Sequence, residues 1–285
     1  MPNYTPLYNL TLFFLYVKMS GKIYAFKEGE NQMGSYTSFA EVYDRLMSDV
    51  DYRSRTSRLI KLFEKYDRRP ALLLDVACGT GGFSNQFALK GFEVIGVDMS
   101  EEMLETARAN SSALGTDVLF LCQKAEKLDL YGTVDGAVCC MDSLNHITDY
   151  KNLCRAISRV TLFLETGRLF IFDVNTVFKH KTVLADNTFI IEQDNIFCAW
   201  RNSTDEKSLV TDIYLDFFVE ENGTYKRSSE DFSERAYTPE ELDAAVKAAG
   251  LETVAVLDDM SDEPATERTE RALYITRKVK ETKNG

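Results

Sequence analysis

Residues 71–82 read Ala71-Leu-Leu-Leu-Asp75-Val-Ala77-Cys-Gly79-Thr-Gly81-Gly82, an apolar run that meets an acid and then turns through closely spaced glycines. A parallel strand covered on both faces reads as such a continuous apolar run. Glycines just past its carboxyl end let the backbone touch a ligand that a Cβ would hold off. A second strand, Glu93-Val-Ile-Gly-Val-Asp98, again ends on an acid. Strand, glycine loop, helix, strand and acid form one βαβ unit with a ribose-sized site at its mouth. The chain is thereby committed to an α/β sheet that binds a nucleotide at the carboxyl ends of its strands.

The same residues narrow the choice of nucleotide. Dinucleotide sites want Gly-x-Gly-x-x-Gly, the third glycine allowing close helix packing and the helix N-terminus facing a pyrophosphate. Here Ser84 stands at the third glycine, and Asp75 sets a carboxylate beside the loop, where it repels phosphate and suits a cation. S-adenosylmethionine carries an ammonium and a sulfonium and no phosphate. Leu74-Asp-Val-Ala-Cys-Gly-Thr-Gly81 and Gly96-Val-Asp-Met-Ser100 resemble the first two motifs of the class I S-adenosylmethionine-dependent methyltransferases. The blocks Tyr36 to Met47, Cys140-Met-Asp-Ser-Leu-Asn145, Phe170-Ile-Phe-Asp-Val-Asn175 and Glu234-Arg-Ala-Tyr-Thr-Pro-Glu-Glu241 are similar to those of a bacterial, Firmicutes-type small-molecule subgroup. The resemblance spans residues 36–278. It implies S-adenosyl-L-methionine as cofactor and methyl transfer as the reaction, and says little about the acceptor; a nitrogen or oxygen of a small molecule is the expected one, with the acidic charge balance against nucleic acid.

Site residues follow from both lines of reasoning. Asp98 can accept from both ribose hydroxyls, since an ionised carboxylate offers two acceptor oxygens. Gly79 and Gly81 let the backbone approach the methionine part. By resemblance, Asp75 orients the cofactor amino group, with Ala77 in the same motif, and Met99 and Met103 flank adenine. Met103 reads equally as a flexible core filler, and Tyr43, the family aromatic that closes over the cofactor, reads equally as a helix-packing residue. Lys124 stands where relatives usually place an acid for the adenine amino group, and a lysine cannot accept a hydrogen bond. Glu126 or a backbone carbonyl then takes that role, beside the Ala125 amide.

In-line displacement at a sulfonium needs chiefly positioning and exclusion of water, and good orientation supplies about 7 to 11 kcal/mol. A base helps when the acceptor is an amine or hydroxyl. His146 is the histidine that motif placement brings near the site, and it reads also as a polar residue at the start of a helix. Asp173, Asn175, Trp200, Arg235 and Tyr237 are the expected acceptor-pocket residues.

A net charge of −12 argues against broad phosphate-backbone binding, which needs clustered Lys and Arg. Nucleic acid is therefore an unexpected partner, and an RNA or protein methyltransferase is the second reading. A nicotinamide oxidoreductase is weakened by Ser84 and Asp75, and a binding module without catalysis stays open on fold grounds. Six cysteines without Cys-x-x-Cys spacing read as reduced thiols of a cytoplasmic protein. The two histidines lack ligand-spaced partners, so no metal is expected. Residues 10–17 are apolar but too short to span a bilayer.

A doubly wound, seven-stranded, mostly parallel sheet of the Rossmann-like methyltransferase type is expected, with an inserted antiparallel β layer. Residues 33–178 and 237–281 form the cofactor domain, with two helices over 38–66 and strands at 118–122, 136–140, 168–173, 252–257 and 272–277. The last of these is antiparallel by resemblance. Over 179–236 the pattern changes to period-two strands and an Asn222-Gly223 hairpin, read as a lid or acceptor-binding subdomain. Residues 1–32 read as a non-native or disordered extension. Codons for Lys27-Glu-Gly-Glu30 can contain a ribosome-binding sequence at a suitable distance before Met33.

Overall fold

The computed structural model describes residues 45–46 and 50–279. The readings of residues 1–32 and Tyr43 lie outside them, as does the first helix apart from residues 45–46, which are helical.

Five mostly apolar strands lie parallel: β1 Leu72–Val76, β2 Glu93–Asp98, β3 Val118–Cys122, β4 Gly136–Cys139 and β5 Leu169–Asn175, with β1, β4 and β5 buried and the edge strand β3 largely open to solvent. The connecting helices are α1 Tyr52–Tyr66, α2 Gly82–Leu89, α3 Glu101–Leu114 and α4 Tyr150–Phe163. After the insertion come α5 Pro239–Ala248, β10 Leu251–Asp258 and β11 Arg271–Lys278. The strand order is β3-β2-β1-β4-β5-β11-β10, with β11 antiparallel to both of its neighbours. Because β1 pairs with β2 on one side and β4 on the other, the winding reverses beside it. Such a switch point opens a crevice at the carboxyl ends of the strands.

The period of two along each strand feeds two cores. Leu73, Val94, Val138 and Ile171 pack with Leu59, Leu62 and Phe63 of α1 and with Phe83 and Phe87 of α2. Leu74, Cys139, Phe170 and Phe172 pack with Leu153, Ile157 and Val160 of α4 and with Leu242 and Val246 of α5. Each fully buried Leu or Phe contributes about 1.5–3 kcal/mol. Local chemistry starts the helices: Ser100 Oγ accepts from the Met103 amide to cap α3, and Thr238 and Glu241 form a reciprocal capping box around Pro239.

The fifth strand is longer than its sequence suggests. Its apolar run weakens at Asp173, but pairing with β11 carries the ladder on to Asn175, opposite Arg271. Two polar side chains, Asp173 and Asn175, are thus drawn inside the sheet's carboxyl edge.

From Asn175 the chain runs through a short helical segment, Val177–Lys179 and His180–Leu184, into a four-stranded antiparallel sheet. Its strands are β6 Thr188–Gln193, β7 Ile196–Asp205, β8 Val210–Glu221 and β9 Thr224–Arg235. The β8–β9 hairpin turns on Asn222 and Gly223, both at positive φ, as the Asn-Gly pair requires. This sheet has its own core of Phe189, Ile191, Ile196, Trp200, Ile213 and Phe217, with Leu46 and Leu184 against it. Among the described residues no helix is long and apolar enough to cross a membrane.

Candidate functional site

At the mouth of β1 and β2, the Gly79 amide donates to Asp98 Oδ2 and the Ser100 amide to Asp98 Oδ1, both at 2.9 Å. These bonds lock the carboxylate and leave each oxygen a further lone pair, which suits a vicinal diol. Gly79 has φ +54°, and a Cβ there would meet no atom within 4 Å, so the loop's outer side is open for a ligand. Gly81, at φ +81°, answers a different need. A Cβ on it would come within 3.2 Å of Ala107 and Phe120, so its absence lets α2 and α3 close on the loop.

Asp75 is buried beneath this loop, and Ser84 Oγ donates to its Oδ2 at 2.5 Å. Ser84 at the third-glycine position thus holds the acid that precedes the loop. Burial pushes the Asp75 carboxyl up to about 7, against the lowering effect of Ser84. A cationic group arriving beside it would favour the ionised form. Ala77, at φ +56°, joins strand to loop.

On the α3 side, Met99 is 64% exposed, available to lie on a flat ring, while Met103 is half-buried in the first turn of α3. Lys124 is exposed; Ala125 and Glu126, half-buried, form the following 3-10 turn. Gln123 clamps this turn by bonding the Asp129 backbone through both ends of its amide.

The other side of the crevice is charged, buried and assembled from distant segments. After β4 the chain passes through Met141 and Asp142, both at positive φ, a costly choice for residues with a Cβ. Asp173 holds this turn by accepting from both backbone amides. Burial, partly offset by Arg271, pushes the Asp173 carboxyl up to about 6. Asp142 in turn accepts from Arg271 at 2.6 Å and from the Asn175 amide. Its burial opposes ionisation, but Arg271 and Lys179 hold the carboxyl below its ordinary range. Asn145 bridges the Asn175 and Arg235 carbonyls, tying this turn to the inserted sheet.

Just beyond, Lys179 Nζ donates to Asn175 Oδ1 at 2.8 Å, and His180 Nδ1 meets Thr211 Oγ1 of β8 at 2.8 Å. Burial and the neighbouring Lys179 press His180 down to about 4, so it is neutral. Glu234 of β9 completes the group: its Oε1 lies 3.6 Å from His146 Nε2, and its Oε2 lies 3.3 Å from Asn175 Nδ2 and 3.8 Å from His180 Nε2. Burial and then Asp142 raise the Glu234 carboxyl. His146 closes the 3-10 turn Ser143–His146, and its ring lies 5.0 Å from that of Phe232. Its side chain is 46% exposed, against 6% for Glu234.

Asp173, Asn175 and His146 are therefore brought together, the first two as buried supports. Three expected pocket residues are placed otherwise. Trp200 lies in the inserted sheet's own core, 5.1 Å from Phe189, because its position on β7 faces inward. Tyr237 is buried in the main core, its hydroxyl donating to the Ile147 carbonyl. Arg235 turns its guanidinium away, over the Tyr237 ring and onto Glu241 at 2.6 Å. Strand alternation accounts for the last: Arg235 faces opposite to Glu234, whose place in the site the sequence reading missed. Glu230, Phe232 and Glu234 at spacing two were the available signal. Asp142, Lys179, His180 and Arg271 offered none that survived their separation along the chain.

A methyltransferase-domain family model matches residues 73–162. The Bacillus subtilis (strain 168) protein YqeM, which its name places among the methyltransferases without an acceptor, is 34% identical over 248 residues, 86% of this chain and 98% of its own. The crystal structure of an S-adenosylmethionine-dependent methyltransferase from Clostridium acetobutylicum ATCC 824 superposes with a TM-score of 0.78 at 31% identity, covering 85% of this chain and 98% of that one. A more distant likeness, of fold alone, is CalS10 of Micromonospora echinaspora, an amino pentose methyltransferase, with a TM-score of 0.66 at 19% identity over 87% and 100% of the two chains.

Proposed function

The chain belongs to the class I S-adenosylmethionine-dependent methyltransferases, and from that premise we propose that it methylates a nitrogen or oxygen of a small molecule with His146 as the base. The observation that carries the reading is a half-exposed imidazole, set between Phe232 and the Glu234 carboxylate on the acceptor side of the crevice.

The cofactor fits the residues present. Asp98 would take the ribose hydroxyls, the Gly79 loop the methionine part, Asp75 the ammonium, and Met99 with the Ala125 turn the adenine. When bound, S-adenosylmethionine supplies an electrophilic methyl group and leaves as S-adenosylhomocysteine. The chain's own tasks are to orient and to dry the site. Residues 179–236 act as a lid: β9 lies over the carboxyl edge, its Glu230 close enough to Glu102 of α3 for that charge to help raise its carboxyl after burial. His146 takes the proton that an amine or hydroxyl must lose. The net charge of −12 supports a small acceptor over nucleic acid, and the amino pentose acceptor of CalS10 is in keeping with a nitrogen nucleophile.

Methyl-labelled S-adenosylmethionine offered with a library of small amines and hydroxyl compounds, and separately with total RNA and protein, tests this. Label is expected in a small molecule, with His146→Gln slowing transfer about 100-fold or more, the usual worth of a general base. Label in RNA or protein alone, or full transfer by His146→Gln, would overturn it.

A further inference from the structure

The inserted sheet does more than cover the crevice. Phe232 and Glu234 stand two apart on β9, so both face the same side of the sheet. One meets the His146 ring at a tilt of 38° and a centroid distance of 5.0 Å, and the other sets Oε1 3.6 Å from His146 Nε2. We propose that Glu234 is the positioning residue of the reaction, holding the His146 ring and stabilising its protonated form from the inserted sheet.

The arrangement has the parts this requires. Glu234 is 5% exposed and cannot reorient freely. Its Oε2 is fixed on the inner side by Asn175 Nδ2 at 3.3 Å, with His180 Nε2 at 3.8 Å, which leaves Oε1 for His146. His180, whose Nε2 has no hydrogen-bond partner, is anchored by Thr211, the residue opposite Glu234 in the β8–β9 ladder. A carboxylate fixed on one imidazole nitrogen sets which nitrogen carries the proton and leaves the other free to accept. The separation is an ion-pair distance, and such contacts commonly tighten only when substrate is bound. The charges facing this pair are Asp142 ahead of the His146 turn, Lys179 and His180 behind Glu234, and Arg271 on Asp142.

The inference rests on His146 being the base. The acceptor's proton passes to the imidazole, whose positive charge Glu234 balances. The freed lone pair then forms the new bond to the methyl carbon as the carbon–sulfur bond breaks, its electron pair remaining on sulfur. No oxidant or further reactant is involved.

The chain has only two histidines, so the imidazole signals of the full-length protein, saturated with S-adenosylhomocysteine, can be followed by NMR across a pH series without an acceptor. His180 is buried and His146 is exposed to solvent, which separates the two. In Glu234→Met, which has similar length and no charge, the midpoint of the His146 titration is expected to move to lower pH by about 1 unit, the usual effect of removing one opposite charge within 4–6 Å. S-adenosylhomocysteine affinity should stay at the wild-type value. If Glu234→Met does not fold, Glu234→Gln, which retains a polar partner for Asn175, is read in the same way. An unmoved midpoint in a folded variant overturns the role of Glu234. Full methyl transfer by His146→Gln instead overturns the base reading, while a midpoint shift would still record the pairing.

Discussion

On one side of the crevice, Asp75, Gly79, Ser84 and Asp98 come from a single stretch of chain and are satisfied largely by one another and by the local backbone. On the other side, Asp142, Asp173, Asn175, Lys179, Glu234 and Arg271 come from separate segments, and all but Lys179, which bonds to nearby Asn175, are held by a partner far away in sequence. The geometry of the first side is set locally. The second is complete only where β11 and the inserted sheet supply Arg271 and Glu234. Cofactor binding and acceptor chemistry should therefore fail separately when the two sides are damaged.

The largest separation is expected at Arg271. Its guanidinium pairs with Asp142 on the side proposed to take the acceptor, and Arg271→Met leaves buried carboxylates without their cation. Losing one partner of a buried pair costs about 3–5 kcal/mol. For a chain of this size that lowers Tm by roughly 6–20 °C. At low temperature the folded variant should still bind S-adenosylhomocysteine with wild-type affinity by calorimetry. Equal loss of stability and cofactor affinity would show the two sides to be one unit.

On the cofactor side the corresponding test is pH. The folded chain keeps the Asp75 proton up to about 7, whereas a free carboxyl releases it near 3.8. The folded state binds the extra proton, so stability declines as pH rises between those two values and levels off above them. Asp75→Asn removes this slope. Its Tm should gain on that of the wild type between about pH 5 and about pH 7, and parallel curves would contradict the buried placement. Over the same interval wild-type affinity for the ammonium of S-adenosylhomocysteine should rise, since the ionised form is the one that attracts a cation.

A smaller effect, confined to binding, is expected at Asp98. Asp98→Ala removes a charged acceptor worth about 1.5–3 kcal/mol and should weaken S-adenosylhomocysteine binding about tenfold or more. Titration of the His146 ring should not change. A variant that binds normally would remove Asp98 from the ribose site.

This contrast also explains what could be read from the sequence. The βαβ unit was legible because its apolar runs, glycines and terminal acids are contiguous, and the capping box at Thr238 for the same reason. Even the odd Ser84 carried information, since its hydroxyl holds Asp75. The opposite side of the crevice was legible only in part. Asp173 and Asn175 were placed at the sheet edge, but whether they face a ligand or support a turn depends on Met141, Asp142 and Lys179. Trp200 and Tyr237 looked like ligand contacts by residue type and proved to be core. Arg235 was expected at the pocket, but its guanidinium lies on Glu241 and over Tyr237, while its neighbour Glu234 faces His146; one residue along a strand reverses the face presented.

Two devices are expected to meet across one crevice, and a crystal structure of the S-adenosylhomocysteine complex tests this most directly. The ribose hydroxyls are predicted on the Asp98 carboxylate, the methionine part along Gly79 above Asp75, and the sulfur turned toward His146 and Phe232. Ribose bound away from Asp98, or a sulfur facing away from β9, would contradict it.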